Sequence, residues 1–364
     1  MKIQLVIGTR PQIIKSAPII HAASVNHSID LQVIHTGQHY DYEMSRIFFN
    51  ELHLPDPVSN LNIGSGTHAW QTGNMLMELE KTFMKHEPDM VLVPGDTNST
   101  LAAALASAKL NIPLAHIESG ARSHAMIMPE EVNRRLTDHC SQYLFTVSQN
   151  CKENLLNEGI AEEIIILSGD TMYDSIVNHS GDVLNDDILD KLDLTSESYS
   201  VITVHRPENV DNPPSLDSII KAIVEMEDTQ FIFPCHPRTK KQLQDTGLYN
   251  TISNASNVRL IDPVGYYSML KLMKHANIVF TDSGGMQKEA FWLGTPCITL
   301  RDNTEWIETV KIGANILTGA DTTLIKQAKD RYMNADIKRK ISTAKNPYSQ
   351  GNAADIILSS LTPS

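Results

Sequence analysis

Short β-branched runs alternate with longer stretches of helical period from the first residues almost to the last. Apolar runs over 2–7, 31–35, 90–94, 114–118 and 143–147 are each too short for a helix, and the segments between them are long enough to hold one. A second series follows over 164–167, 199–204, 230–234, 258–261, 277–280 and 297–300. Apolar strands joined by helical crossovers are the pattern of parallel βαβ units. The expected fold class is α/β, with two Rossmann-like domains built on parallel sheets. A chain of 364 residues can fill two separate cores. The seam is expected near Gly169 and Asp170, giving a first domain over 1–168, a second over 169–350 and a last helix within 351–364.

Open parallel sheets bind ligands beyond the carboxyl ends of their strands, so the residues after each run carry the functional information. The most telling stretch is TDSGGMQKEAFWLGTP over 281–296. A strand, a turn of Ser283, Gly284 and Gly285, and a helix start gather unpaired amides at the positive end of a helix dipole, which makes an anion seat. The glycines let a phosphate approach the backbone, and the Ser283 hydroxyl suits either a helix cap or a donor to the anion. Glu289, one turn on, is better suited to sugar hydroxyls than to phosphate. A plain Ser-capped turn would leave the same local signature.

Other strand ends are equally polar. After 2–7 come Arg10 and Lys15, with Pro11 opening a helix, and the pattern is neither a dinucleotide fingerprint nor a Walker loop. After 31–35 come Gln38 and His39. Asp96 follows 90–94 and suits a helix cap as well as an acid. Glu118 ends an apolar run, where an unpaired charge is costly; either Arg122 or Arg134/Arg135 pairs with it, or it is kept there for chemistry. Glu130 and Glu131 follow Pro129, a sound helix start, and with Asp96 and Glu118 they are expected on one rim. His205 and Arg206 follow 199–204, His236 follows the next run, and Arg301 follows the last, where it serves a ligand or an ion pair. The Met-rich segments around 75–77 and 269–273 are read as core.

Composition narrows the class. A net charge of -13 argues against an electrostatic nucleic-acid binder. Cys140, Cys151, Cys235 and Cys297 show no metal-ligand spacing and fit reduced thiols of a cytoplasmic protein. No stretch approaches the length of a membrane span.

Taken in order, GTRPQIIK, HTGQHYD, GDTNST, HIESGARS, MPEEVNRR, HRPENV, TDSGGMQKEA, LRDNTEW and NPYSQGNA resemble the motifs of the non-hydrolysing UDP-N-acetylglucosamine 2-epimerases nearly end to end. The resemblance implies a GT-B-like architecture with its active site in an interdomain cleft, and a last helix returning to the first domain. It implies interconversion of UDP-GlcNAc and UDP-ManNAc without metal, NAD or other cofactor, in a cytoplasmic homodimer that feeds surface polysaccharide synthesis and touches neither nucleic acid nor membrane. Asp96, Glu118 and Glu130 match the family's acidic catalytic positions, Glu131 is the adjacent and less favoured match, and His205 matches the catalytic histidine. Arg10, Lys15, Ser283, Gly285 and Glu289 match nucleotide-binding positions, with Gly284 and Arg206 beside them and Arg301 as a substitute contact. Gln38, His39 and His236 are candidates for a partly kept regulatory site. Departures stand at Gln12, Ser119, Ala121, Lys288 and Trp306, the last in place of a common Arg. A related UDP-diacetamido-uronic acid as substrate, a GT-B glycosyltransferase and a non-catalytic UDP-sugar sensor remain open as alternatives.

Overall fold

The computed structural model describes residues 1–38, 42–333, 335–348 and 350–362. The chain divides into two compact units, one of Met1–Asn178 with Pro347–Ser364 and one of His179–Asn346. Among the described residues every strand pairs in parallel, as the apolar runs joined by helical segments require.

In the first unit the strands are β1 (Lys2–Ile7), β2 (Asp30–His35), β3 (Ser59–Asn60), β4 (Met90–Pro94), β5 (Leu114–Ser119), β6 (Tyr143–Thr146) and β7 (Ile165–Leu167). Their order is β3-β2-β1-β4-β5-β6-β7, so the winding direction reverses between β1 and β4. That reversal opens a crevice at the carboxyl ends of those two strands. Val6, Ile34, Val91 and Val93 pack against Met75, Leu79 and Phe83, which lie four apart on the helix His68–His86 and so share one face. The C-terminal helix Ala353–Leu361 belongs to this unit and packs on the helices Arg10–Ser24 and Thr171–Asn178.

The second unit contains β8 (Ser200–Thr203), β9 (Phe231–Pro234), β10 (Val258–Ile261), β11 (Val279–Thr281), β12 (Cys297–Thr299) and β13 (Asn315–Leu317). The order β10-β9-β8-β11-β12-β13 repeats the same winding, with its reversal between β8 and β11. Ile202, Phe233, Phe280 and Ile298 form the heart of its largest core cluster.

Three details differ from the sequence reading. The run at 164–167 closes the first sheet rather than opening the second, because Ile165 pairs with Leu144 of β6. Two short edge strands, β3 and β13, went unseen. Met77 is exposed, whereas Met75 on the same helix is fully buried. Among the described residues no helix is long and apolar enough to cross a membrane.

Candidate active site

The first unit's polar residues collect where its winding reverses. Gly8 ends β1 in a space with no room for a side chain: a Cβ there would lie 2.1 Å from Thr36 Oγ1 and 2.2 Å from Ser99 Oγ. Its amide donates to Gln12 Oε1 (2.8 Å), and Gln12 Nε2 donates to Pro94 O (2.9 Å), which ties the end of β1 to the end of β4. Gln12, a departure from the resembled pattern, thus has a structural task. Arg10 begins the next helix, exposed, with its guanidinium 5.5 Å from the centroid of Phe48.

Lys15, one helical turn inside, donates from Nζ to Glu118 Oε1 at 2.7 Å, with both side chains largely buried. Lys15, which the sequence reading did not name for this, is thus a partner of Glu118. Glu118 itself sits on a bulge where β5 shifts register against β6, with φ of 67°. A non-glycine residue in that left-handed region stores strain, and strain of this kind collects at functional sites.

Asp96 does not cap a helix. Thr97 caps the helix Asn98–Lys109 through its hydroxyl, and the Asp96 carboxylate instead accepts from Arg134 Nη2 (2.6 Å) and Nε (3.0 Å). Arg134 also reaches Glu131 at 3.1 Å. Glu131 is fully buried and accepts from the Ser123 amide (2.9 Å) and from Arg135 Nε (3.2 Å). Burial alone would raise its pKa, but the Ser123 amide and the Arg134 charge outweigh burial and hold it below the usual carboxylate range. Glu131 is thus held by its neighbours in the fold, and Glu130 lies half-buried in the first turn of the same helix.

The second unit repeats the arrangement at its own reversal. Ser283 precedes the helix Gly284–Trp292 and makes no side-chain cap bond, so of the two uses expected for its hydroxyl the cap is not made. Gly284 and Gly285 open the helix with first-turn amides that have no intrahelical acceptor. Glu289 lies one turn beyond them, buried.

Asp282, the residue before this turn, is fully buried and was missed by the sequence reading. It accepts from the His205 amide (3.0 Å), the Arg206 amide (2.9 Å) and Asn209 Nδ2 (3.1 Å), and His205 Nδ1 lies 3.1 Å from its Oδ1. Burial pushes the Asp282 pKa up, but the His205 charge and these hydrogen bonds more than reverse it, so the carboxyl sits below its ordinary value. A carboxylate only accepts. Nδ1 of His205 therefore carries a hydrogen. A charge at the end of an apolar run, the signal that picked out Glu118, marks Asp282 as well.

Arg301 pairs with Glu305 (3.1 Å) and donates to Asn303 (2.9 Å), so of its two expected uses the ion pair is realised within the unit. The departures at 288 and 306 meet: the Lys288 ammonium sits 3.6 Å from the Trp306 ring centroid. Of the regulatory candidates, Gln38 is buried and its side-chain oxygen accepts from the Ser99 amide (2.9 Å) and hydroxyl (2.7 Å). His236 caps the helix Pro237–Asp245 through the Arg238 amide (3.2 Å), with its ring 6.5 Å from that of His205. His39 lies outside the described residues. Among the described residues no group of three or more His, Cys, Asp and Glu is placed to hold a metal ion.

In class, this is an α/β enzyme of two Rossmann-like units, the GT-B-like architecture. A family model described as UDP-N-acetylglucosamine 2-epimerase matches residues 21–362. The UDP-N-acetylglucosamine 2-epimerase of Methanocaldococcus jannaschii is 46% identical over 368 residues, spanning 100% of this chain and 99% of that protein. The UDP-2,3-diacetamido-2,3-dideoxy-D-glucuronate 2-epimerase of Pseudomonas aeruginosa is 44% identical over 333 residues, spanning 90% and 91%. A crystal structure of the M. jannaschii UDP-GlcNAc 2-epimerase in complex with UDP-GlcNAc and UDP matches with a TM-score of 0.93 at 45% identity, covering 99% of both chains. The chain belongs to the UDP-N-acetylglucosamine 2-epimerase family, a family of isomerases.

Proposed function

We propose that this enzyme interconverts UDP-GlcNAc and UDP-ManNAc by inverting C2 of the sugar. The observation that carries the reading is the gathering of Asp96 and Glu118 at the carboxyl ends of β4 and β5, each already beside a cation, Arg134 and Lys15.

The C2 hydrogen is not adjacent to a carbonyl, so its direct removal would be slow. Breaking the bond between C1 and the phosphate oxygen sends that electron pair to UDP and leaves positive charge at the ring. The C2 proton then passes to a carboxylate, the C–H pair becomes the C1–C2 double bond, and 2-acetamidoglucal and UDP remain bound. Proton delivery to the other face of C2, with return of the UDP oxygen to C1, gives the epimer. Asp96, Glu118 and Glu130 serve the proton transfers on the two faces. Arg10, Arg206, His205 and the Ser283–Gly285 turn take the charge that develops on departing UDP, and Glu289 accepts from ribose hydroxyls. The reaction requires both sets of groups on one substrate molecule.

Incubation with UDP-GlcNAc in deuterated water tests this: deuterium at C2 and UDP-ManNAc are expected, and a transferase or sensor yields neither. Offering UDP-2,3-diacetamido-2,3-dideoxy-D-glucuronate in parallel assigns the sugar, since faster turnover of that substrate would move the reading to it. We place the enzyme in the cytoplasm as a homodimer. None of its four cysteines is in a disulfide, and Trp70, Met77 and Met84 repeat every seventh residue, exposed, along the helix His68–His86. Sedimentation of a Met77→Glu/Met84→Glu variant as a monomer is the expected outcome.

A further inference from the structure

A buried relay stands behind the first unit's rim. His116 in β5 and Asp138 on the helix Pro129–Cys140 are both out of solvent. His116 Nε2 lies 2.7 Å from Gly95 O, and because a carbonyl only accepts, that nitrogen carries a hydrogen and donates it. The other ring nitrogen shares a hydrogen with Asp138 Oδ1 at 2.6 Å. The second Asp138 oxygen accepts from the Gly120 amide (3.2 Å) and from Arg122 Nη2 (2.7 Å).

The consequence lies in the backbone. Gly95 adopts φ of 68°, open to glycine and strained for most other residues. Its amide is held by Ile117 O (2.9 Å) and its carbonyl by His116, two neighbours on β5. With both of its peptide groups fixed, Asp96 leaves the loop in one direction relative to Glu118, two residues beyond His116. Asp138 meanwhile holds Gly120, on the far side of the Glu118 bulge.

We propose that His116 and Asp138 are positioning residues that set the spacing of the Asp96 and Glu118 carboxylates for proton transfer, a role that rests on the function proposed above. Neither residue reaches the rim, so both act through the loops they hold. Asp138 suits the task because it stays a pure acceptor: burial would raise its pKa, but His116 and Arg122 outweigh burial and keep it ionised.

His116→Phe keeps a ring and loses both bonds, whereas His116→Gln retains a donor for Gly95 O. Displacing a reacting group by about 1 Å costs on the order of 100-fold. In steady-state epimerisation of UDP-GlcNAc, His116→Phe is expected to lose about 100-fold in kcat with KM within about 3-fold, and His116→Gln to recover at least about 10-fold. Hydrogen exchange is expected to rise in 95–97 and 118–121 of His116→Phe and to stay unchanged in the second unit. Normal kcat in His116→Phe, or exchange raised throughout the first unit with kcat and KM falling together, overturns the proposal. A wild-type enzyme that leaves UDP-GlcNAc untouched removes the function reading instead. The exchange measurement still decides the relay in that case, and unaltered loops in His116→Phe would refute it.

Discussion

Glu118 combines a strained backbone with a buried ion pair, and the two have opposite energetic signs. The left-handed conformation costs of order 1–3 kcal/mol, while the Lys15 contact at 2.7 Å sets an opposite charge against a buried carboxylate. Removing one partner of such a pair costs about 3–5 kcal/mol because the other charge is stranded. Glu118→Gln is therefore expected to lose at least about 100-fold in turnover and also stability, Lys15→Met to lose similar stability, and Lys15→Met/Glu118→Gln to regain most of the stability while staying inactive. Urea unfolding of the four proteins checks this, and additive losses in the double variant would show that the pair is uncoupled. The sequence located Glu118 because a charge at the end of an apolar run stands out. It did not reveal the partner, since Lys15 is 103 residues away and only the neighbouring of β1, β4 and β5 brings them together. Only the resemblance ranked Glu130 above Glu131; the residues themselves could not, for the same reason, because Glu131 is engaged by Ser123, Arg134 and Arg135, and that engagement exists only after folding.

At the scale of elements, two glycines at strand ends make different demands. A Cβ on Gly8 would meet the Thr36 and Ser99 hydroxyls, which are themselves 2.7 Å apart and buried, so Gly8→Ala must push side chains aside. Overpacking of this kind costs about 1–3 kcal/mol. A Cβ on Gly120 would lie 2.2 Å from Cys151 O, a backbone atom that cannot rotate away, and Gly120 has φ of 75°. Gly120→Ala adds a left-handed penalty of roughly 1–2 kcal/mol to the clash and is expected to be the more damaging change. Denaturant midpoints rank the two, and a milder Gly120→Ala would contradict the geometry. The interior strands were legible because a strand buried on both faces must be apolar along its length. The edge strands were not: β3 is two residues and β13 three, too short to print a pattern, and β7 went to the wrong series because pairing with β6 is a choice of neighbour, not of composition.

At the scale of the whole molecule, each unit keeps one buried, ionised aspartate at its functional loops, Asp138 in the first and Asp282 in the second. Both have folded pKa values below the unfolded one, so their stabilisation is complete above about pH 4 and drains as pH falls through that value and below. Acid unfolding curves of Asp138→Asn and Asp282→Asn are expected to be flatter below about pH 4 than that of the wild type. The chain's end poses a sharper test of how the units are built. The helix Ala353–Leu361 buries Ala353, Ala354, Ile357, Leu358 and Leu361, and its Ala354 amide donates to Asp174 Oδ2 at 2.8 Å, a residue of the helix Thr171–Asn178. Fully burying a Leu or Ile side chain contributes about 1.5–3 kcal/mol, so Ile357, Leu358 and Leu361 together supply a large share of the free energy that docks this helix on the first unit. Deleting residues 351–364 should therefore lower the melting of the first unit by several degrees and leave the second unit, which the helix does not join, where it was. Calorimetry with hydrogen exchange resolved by unit distinguishes the outcomes: loss of protection confined to 1–178 supports this division of the chain, and equal loss in 179–346 would mean that the C-terminal helix stabilises both units and that the two cores do not melt separately.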